Sequence, residues 1–127
     1  MVEVMLRTVR MDASSGTPVL LLEEVHGPRA LAVFIGGPEA AAIAYALEGV
    51  QTPRPMTHDL LASTITALGA RLLTVEIVEQ RDSSYIALLR LVRDGAEITV
   101  DARPSDAVAL ALRQSAPILV DDKVMEE

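Results

Sequence analysis

Two short stretches of this 127-residue chain concentrate groups able to handle a phosphate. Pro53-Arg54-Pro55-Met56-Thr57-His58-Asp59 sets a guanidinium, a hydroxyl, an imidazole and a carboxylate on a stiff loop and helix start. Asp101-Ala102-Arg103-Pro104-Ser105-Asp106 offers two carboxylates, a guanidinium and a hydroxyl. Arginine forks grip phosphate oxygens, helix N-termini add N–H donors, carboxylates hold hard cations such as Mg²⁺, and imidazole moves protons near neutral pH. Every part of a phosphodiesterase is present. The same residues also have structural readings: Asp101 with Arg103 as an ion pair, Ser105 in local hydrogen bonds, and Glu39, Asp59 and Asp106 as acids favoured in the first turn of a helix. Neither stretch has the spacing of a known metal motif, and no Walker loop, G-x-G-x-x-G or G-x-S-x-G occurs in the chain.

Composition narrows the field. Half the residues are hydrophobic, enough for one core and too many for intrinsic disorder. The formal net charge of −7 disfavours a generic DNA-coating role, which needs a basic face. One phenylalanine, two tyrosines and no tryptophan leave little material for base-stacking platforms. The absence of cysteine removes disulfides, thiolate metal sites and a thiol nucleophile, and fits a reducing cytoplasm. No apolar run approaches a membrane span, and the first residues do not read as an export signal.

The elements that must position these groups follow from periodicity and turn chemistry. Val2, Val4 and Leu6 alternate as in a half-buried strand, ended by Ser14-Ser15-Gly16-Thr17-Pro18. Val19–Leu22 and Ala30–Ile35 form a hairpin around His26-Gly27-Pro28. Pro38 opens an alanine-rich helix from Glu39 to Leu47, stopped by Gly49, and Thr57 caps a second helix to about Leu68. Strands Arg71–Glu79, Ser84–Val92 and Ile98–Asp101 follow, the last two joined by the Asp94-Gly95 turn. Pro104 opens a third helix to about Arg113, and Pro117–Val120 is a last short strand. Residues 1–120 therefore predict a single compact α+β domain, a largely antiparallel or mixed sheet with about three short helices on one face, and 121–127 an acidic tail. Ala42–Leu47 and Ala107–Leu112 share the pattern A-(I/V)-A-x-A-L. It reads either as a duplicated strand–helix unit or as convergence of two tightly packed helices on alanine.

Taken together, Ile35-Gly36-Gly37-Pro38-Glu39-Ala40, Pro53 to Leu61 and Asp101 to Ala111, with Pro117-Ile118, resemble the bifunctional nuclease domain family over nearly the whole chain. The resemblance implies a compact, often self-associating α+β domain of bacteria and plants that cleaves DNA and RNA. Onto that expectation the residues can be assigned as follows. His58, Asp59 and Asp106 are catalytic, with His58 activating water or protonating the leaving oxygen. Asp101 and Asp106 hold a divalent cation, Mg or Mn, which would also offset repulsion between the acidic chain and a polyanion. Arg54, Thr57, Arg103 and Ser105 bind the substrate. The competing expectation is a non-catalytic homo-oligomeric module that binds a protein partner or a small anionic ligand. A nuclease needs the two stretches to meet in space and should show a cleft where Arg54, His58 and Arg103 outweigh nearby acids, whereas a scaffold should bury its arginines against Asp59, Asp101 and Asp106.

Overall fold

The computed structural model describes residues 1–125. Among these residues the strands are β1 (Val2–Met11), β2 (Pro18–Glu24), β3 (Ala30–Phe34), β4 (Ala70–Arg81), β5 (Ser84–Arg93), β6 (Ala96–Ala102) and β7 (Ile118–Val120). The helices are α1 (Gly37–Glu48), α2 (Thr57–Ala67), α3 (Pro104–Gln114) and α4 (Asp122–Met125). The strands build one sheet in the order β3-β2-β1-β7-β4-β5-β6. Every pairing is antiparallel except β4 with β7. The architecture is α+β, as the grouping of elements predicts. At the β5–β6 turn, Asp94 (φ 50°) and Gly95 (φ 78°) are both left-handed, the conformation a tight hairpin needs to match strand twist.

The order is symmetric about β7. Strands β1, β2, β3 and helix α1 repeat as β4, β5, β6 and α3, with strand directions related by a half-turn about an axis normal to the sheet. A register shift falls between Leu6 and Thr8 in β1 and between Leu72 and Thr74 in β4. Leu6-Arg7-Thr8-Val9 and Leu72-Leu73-Thr74-Val75 thus place one L-x-T-V pattern at equivalent irregularities. The alanine-rich echo lies in the equivalent helices α1 and α3, which pack against each other.

Alternation along the strands buries one sheet face: Leu20 and Leu22 of β2, Val75 and Ile77 of β4, and Val120 of β7 are all within 1% of complete burial. Over this face α3 contacts α1, α2, β4 and β5, so the three long helices form one layer with α3 at its centre. Residues Ala107 to Ala111 are five in succession that are at most 1% exposed. Such a helix has no solvent face, and its alanines let neighbouring elements approach closely. Of the segment expected as an acidic tail, Asp122–Met125 form the turn α4, with Val124 and Met125 buried, while Glu126 and Glu127 lie outside the described residues.

Because Leu110 is completely buried between helices and sheet, Leu110→Ala leaves a cavity and costs about 3 kcal/mol of stability. Denaturant unfolding measures it; a loss under about 1 kcal/mol would contradict this packing.

Candidate active site

The two chemically rich stretches meet. Pro53 and Pro55 bias the residues before them toward extended backbone, so the loop can end only where α2 begins. Thr57, expected as the cap, is instead the first helical residue: Met56 is the N-cap, and its N–H donates to the Asp59 carboxylate at 3.0 Å. Asp59, at the third helical position, thereby reaches back to satisfy the N-cap N–H, the reciprocal half of a capping box. This start places His58 on the first turn of α2. On the other side, Arg103 is the N-cap of α3, Pro104 follows, and Asp106 stands in the first turn. His58 Nε2 lies 2.8 Å from Asp106 Oδ1.

Asp106 is the centre of the network. Its Oδ2 accepts from Arg103 Nε at 2.8 Å, and its Oδ1 also accepts from Arg103 Nη2 at 3.2 Å. Arg103 Nη2 is also 3.6 Å from Glu39 Oε2 on α1. Burial acts to raise the Asp106 carboxyl, but the hydrogen bonds and charges of Arg103 and His58 prevail and hold it below the usual carboxylate range. The bond from Asp106 in turn holds the Arg103 guanidinium above its ordinary value. His58 is largely buried and Arg103 largely exposed, side chains 12% and 64% accessible. Pro38, Glu39, Tyr45, Thr57, His58, Arg103 and Asp106 line a cleft of about 390 Å³. In neutral His58, an Nε2–H donated to Asp106 leaves Nδ1 as the basic nitrogen.

Arg113, which sequence reasoning treated only as the end of a helix, fastens the arrangement. Its Nε donates to Asp59 Oδ1 at 2.7 Å, Nη1 to the Ala109 carbonyl at 2.9 Å and Nη2 to the Ala42 carbonyl at 3.1 Å. One guanidinium, 11% exposed, so joins α1, α2 and α3. The Arg113 hydrogen bond, then that of the Met56 N–H, holds Asp59 below the usual carboxylate range. The available signal was an arginine ending a helix with almost no polar face.

Not every expected residue joins this network. Thr57 lines the cleft. Ser105 is buried and faces a neighbouring cavity of about 640 Å³, which shares Glu39 and Arg103 with the first. Arg54 lines neither cavity; its carbonyl accepts from Thr52 Oγ1 at 2.6 Å in the exposed loop. Asp101 lies exposed on β6, opposite Leu88, and also lines neither. Both Asp106 oxygens are engaged by His58 and Arg103. Among the described residues no three His, Asp or Glu side chains gather to hold an ion. The Asp101–Asp106 donor set expected for Mg or Mn therefore does not fit a divalent cation here.

A family model described as the bifunctional nuclease domain matches residues 20–127. The chain belongs to the bifunctional nuclease domain family. A protein of Mycobacterium tuberculosis described as uncharacterized is similar, 45% identical over 125 residues, covering 98% of this chain and 74% of its own length. Bifunctional nuclease 1 of Oryza sativa subsp. indica is 25% identical over 122 residues, 93% of this chain but 37% of the plant protein. Bifunctional nuclease 2 of Oryza sativa subsp. japonica is 33% identical over 78 residues, 59% of this chain. No described helix is long and apolar enough to cross a membrane.

Arg113→Ala removes the guanidinium's bonds to Asp59 and to the Ala42 and Ala109 carbonyls and destabilises the fold by about 2–3 kcal/mol. Arg113→Lys keeps the charge, loses the fork and recovers only part of this; thermal melts of both variants against the parent chain measure it. A second expectation concerns acid. Asp59 and Asp106 have lowered folded-state values, so the unfolded chain binds more protons as pH falls. Their contribution is complete above the ordinary carboxylate value of about 4 and is lost as pH drops through the lowered folded values. Unfolding free energy measured against pH should fall in that range, and less steeply in an Asp59→Asn/Asp106→Asn double variant. Equal slopes would refute the assignment.

Proposed function

We propose that this chain is a nuclease that hydrolyses phosphodiester bonds of DNA and RNA at the His58–Asp106–Arg103 cluster. One observation carries the reading: a single carboxylate holds an imidazole and a guanidinium, each at 2.8 Å, at the mouth of a cleft. Family membership and the printed names of the rice relatives support the same class of substrate. In the proposed reaction Asp106 orients His58, whose free ring nitrogen takes a proton from the attacking water. The water oxygen bonds to phosphorus and the phosphorus–oxygen bond to the leaving group breaks. The leaving oxygen takes up a proton, which the imidazolium supplies. Arg103 Nη1, which makes none of the contacts to Asp106 or Glu39, is free to donate to the non-bridging oxygens as charge develops on them. Ser105 and Thr57 border the path of the strand, and Arg54, outside both cavities, takes no part in the cluster. The cysteine-free chain suits a cytoplasmic setting.

A second reading is favoured by the charge balance. Glu39, Asp59 and Asp106 outnumber Arg103 and Arg113, and each arginine is closed onto an acid, as a non-catalytic anion-binding or partner-binding module would arrange. Under either reading the domain self-associates: Ile98 and Val100 on edge strand β6 stand 42% and 43% exposed beyond the helical layer, and Met5 is 52% exposed.

His58→Ala and Asp106→Asn, purified identically to the parent, should each slow cleavage of fluorescent single-stranded RNA and DNA by about 10²–10⁴-fold. Cleavage persisting in both variants would sink the assignment. No cleavage by the parent, with Mg²⁺, Mn²⁺ or EDTA, would establish the second reading instead. Light scattering that returned a strict monomer at high concentration would exclude self-association.

A further inference from the structure

The chain has three aromatic residues, Phe34, Tyr45 and Tyr85. All three line the two adjoining cavities that share Arg103 and Glu39: Phe34 and Tyr85 the larger, Tyr45 the smaller. Their scarcity argued against base stacking at the level of composition, but composition does not report placement. Phe34 ends the edge strand β3 on the exposed side of its alternation and is 59% exposed, Tyr45 on α1 is 39% exposed, and Tyr85 packs partly against the core. An exposed ring beside a cleft keeps its apolar face wet until a planar ligand covers it.

The larger cavity adds a polar rim suited to base edges. Gln80, Ser83 and Ser84 at the β4–β5 turn line it beside Tyr85, the ladder partner of Gln80, and Ser105 and Arg103 line it as well. Arg103 is the cation common to both cavities, each of which has an aromatic residue in its lining. A phosphate at Arg103 would have one neighbouring base over Phe34 and Tyr85 and the other toward Tyr45.

We infer that the two cavities form one binding groove for single-stranded nucleic acid, in which bases stack on Phe34 with Tyr85 and on Tyr45 while Arg103 holds the phosphate between them. This rests on the nuclease reading above and specifies its substrate as unpaired strand. Duplex is a poor occupant because its bases are already stacked and paired. The electrostatics differ from those of a basic track. Asp106 and Glu39 balance Arg103, so few counterions are displaced and affinity comes chiefly from stacking.

Fluorescence anisotropy of the full chain with a labelled oligothymidylate of about eight nucleotides tests this, beside the matching duplex. Single strand should bind at least about tenfold more tightly than duplex, and the logarithm of affinity should fall with the logarithm of salt with a slope near about −1. Phe34→Leu, which keeps an apolar side chain on an exposed site, should weaken binding about tenfold, whereas Phe34→Tyr should restore it; Tyr45→Leu should behave like Phe34→Leu. Thermal melts confirm that the variants are folded. Binding that ignores Phe34→Leu and Tyr45→Leu, or equal affinity for duplex, overturns the groove. Measuring cleavage on the same samples separates the two readings. Cleavage with aromatic-independent binding keeps the nuclease and rejects the groove, and Phe34-dependent binding without cleavage keeps the groove and rejects the nuclease.

Discussion

A guanidinium withdrawn from water must find acceptors for its donors, and Arg113 satisfies that demand by reaching three helices at once. The rest of the helical layer is arranged around this requirement. Ala42 lies on α1, Asp59 on the first turn of α2 and Ala109 within α3, so the relative placement of all three is set by one side chain. The small residues of α1 and α3 allow the approach, and the Asp59 carboxylate is doubly employed, accepting from Arg113 and from the N-cap of its own helix. Since His58 precedes Asp59, the same bond that ties α2 to α3 also determines how the imidazole meets Asp106.

The site forms on a seam. Glu39 comes from the first structural half, whereas Arg103 and Asp106 come from the second and His58 from the helix between them. Neither half holds the whole constellation. At that seam one carboxylate, Asp106, holds an imidazole from one helix and a guanidinium from the start of another. In the proposed groove the electrostatic cost of bringing a polyanion to an acidic chain would be met locally, through rings and one shared cation, without a basic surface.

Much of the fold is legible in sequence because its signals are local. Pro38 and Pro104 mark helix starts, Asp94-Gly95 marks a tight hairpin, and alternation in β1 and β2 marks the buried face. Long-range facts leave no such trace. Nothing in Ile118-Leu119-Val120 says that this short strand lies between β1 and β4, and nothing in Arg113 announces Ala42 as a partner. Asp101 and Arg54 illustrate the opposite error: proximity along the chain to Asp106 and His58 does not carry them into the cleft, because a strand register and a stiff proline loop direct them elsewhere. Likewise, Thr57 has the right chemistry for a cap but stands one residue too far along, so the N-cap is Met56 and the helix start is held by the Asp59 carboxylate reaching back to its N–H.

The central position of β7 also governs the order in which the molecule can assemble. β1 and β4 never pair with each other; each completes its ladder only against residues 118–120. The two meanders can zip as independent hairpins, each with an open inner edge, but the sheet stays in two pieces until residues 118–120, which follow both meanders in the chain, take their place between them. Throughout that interval two apolar, unpaired edges stand ready for the wrong partner, including each other or another nascent chain. The two halves that frame the cleft are therefore joined in one sheet only through a three-residue strand that follows both of them in the chain.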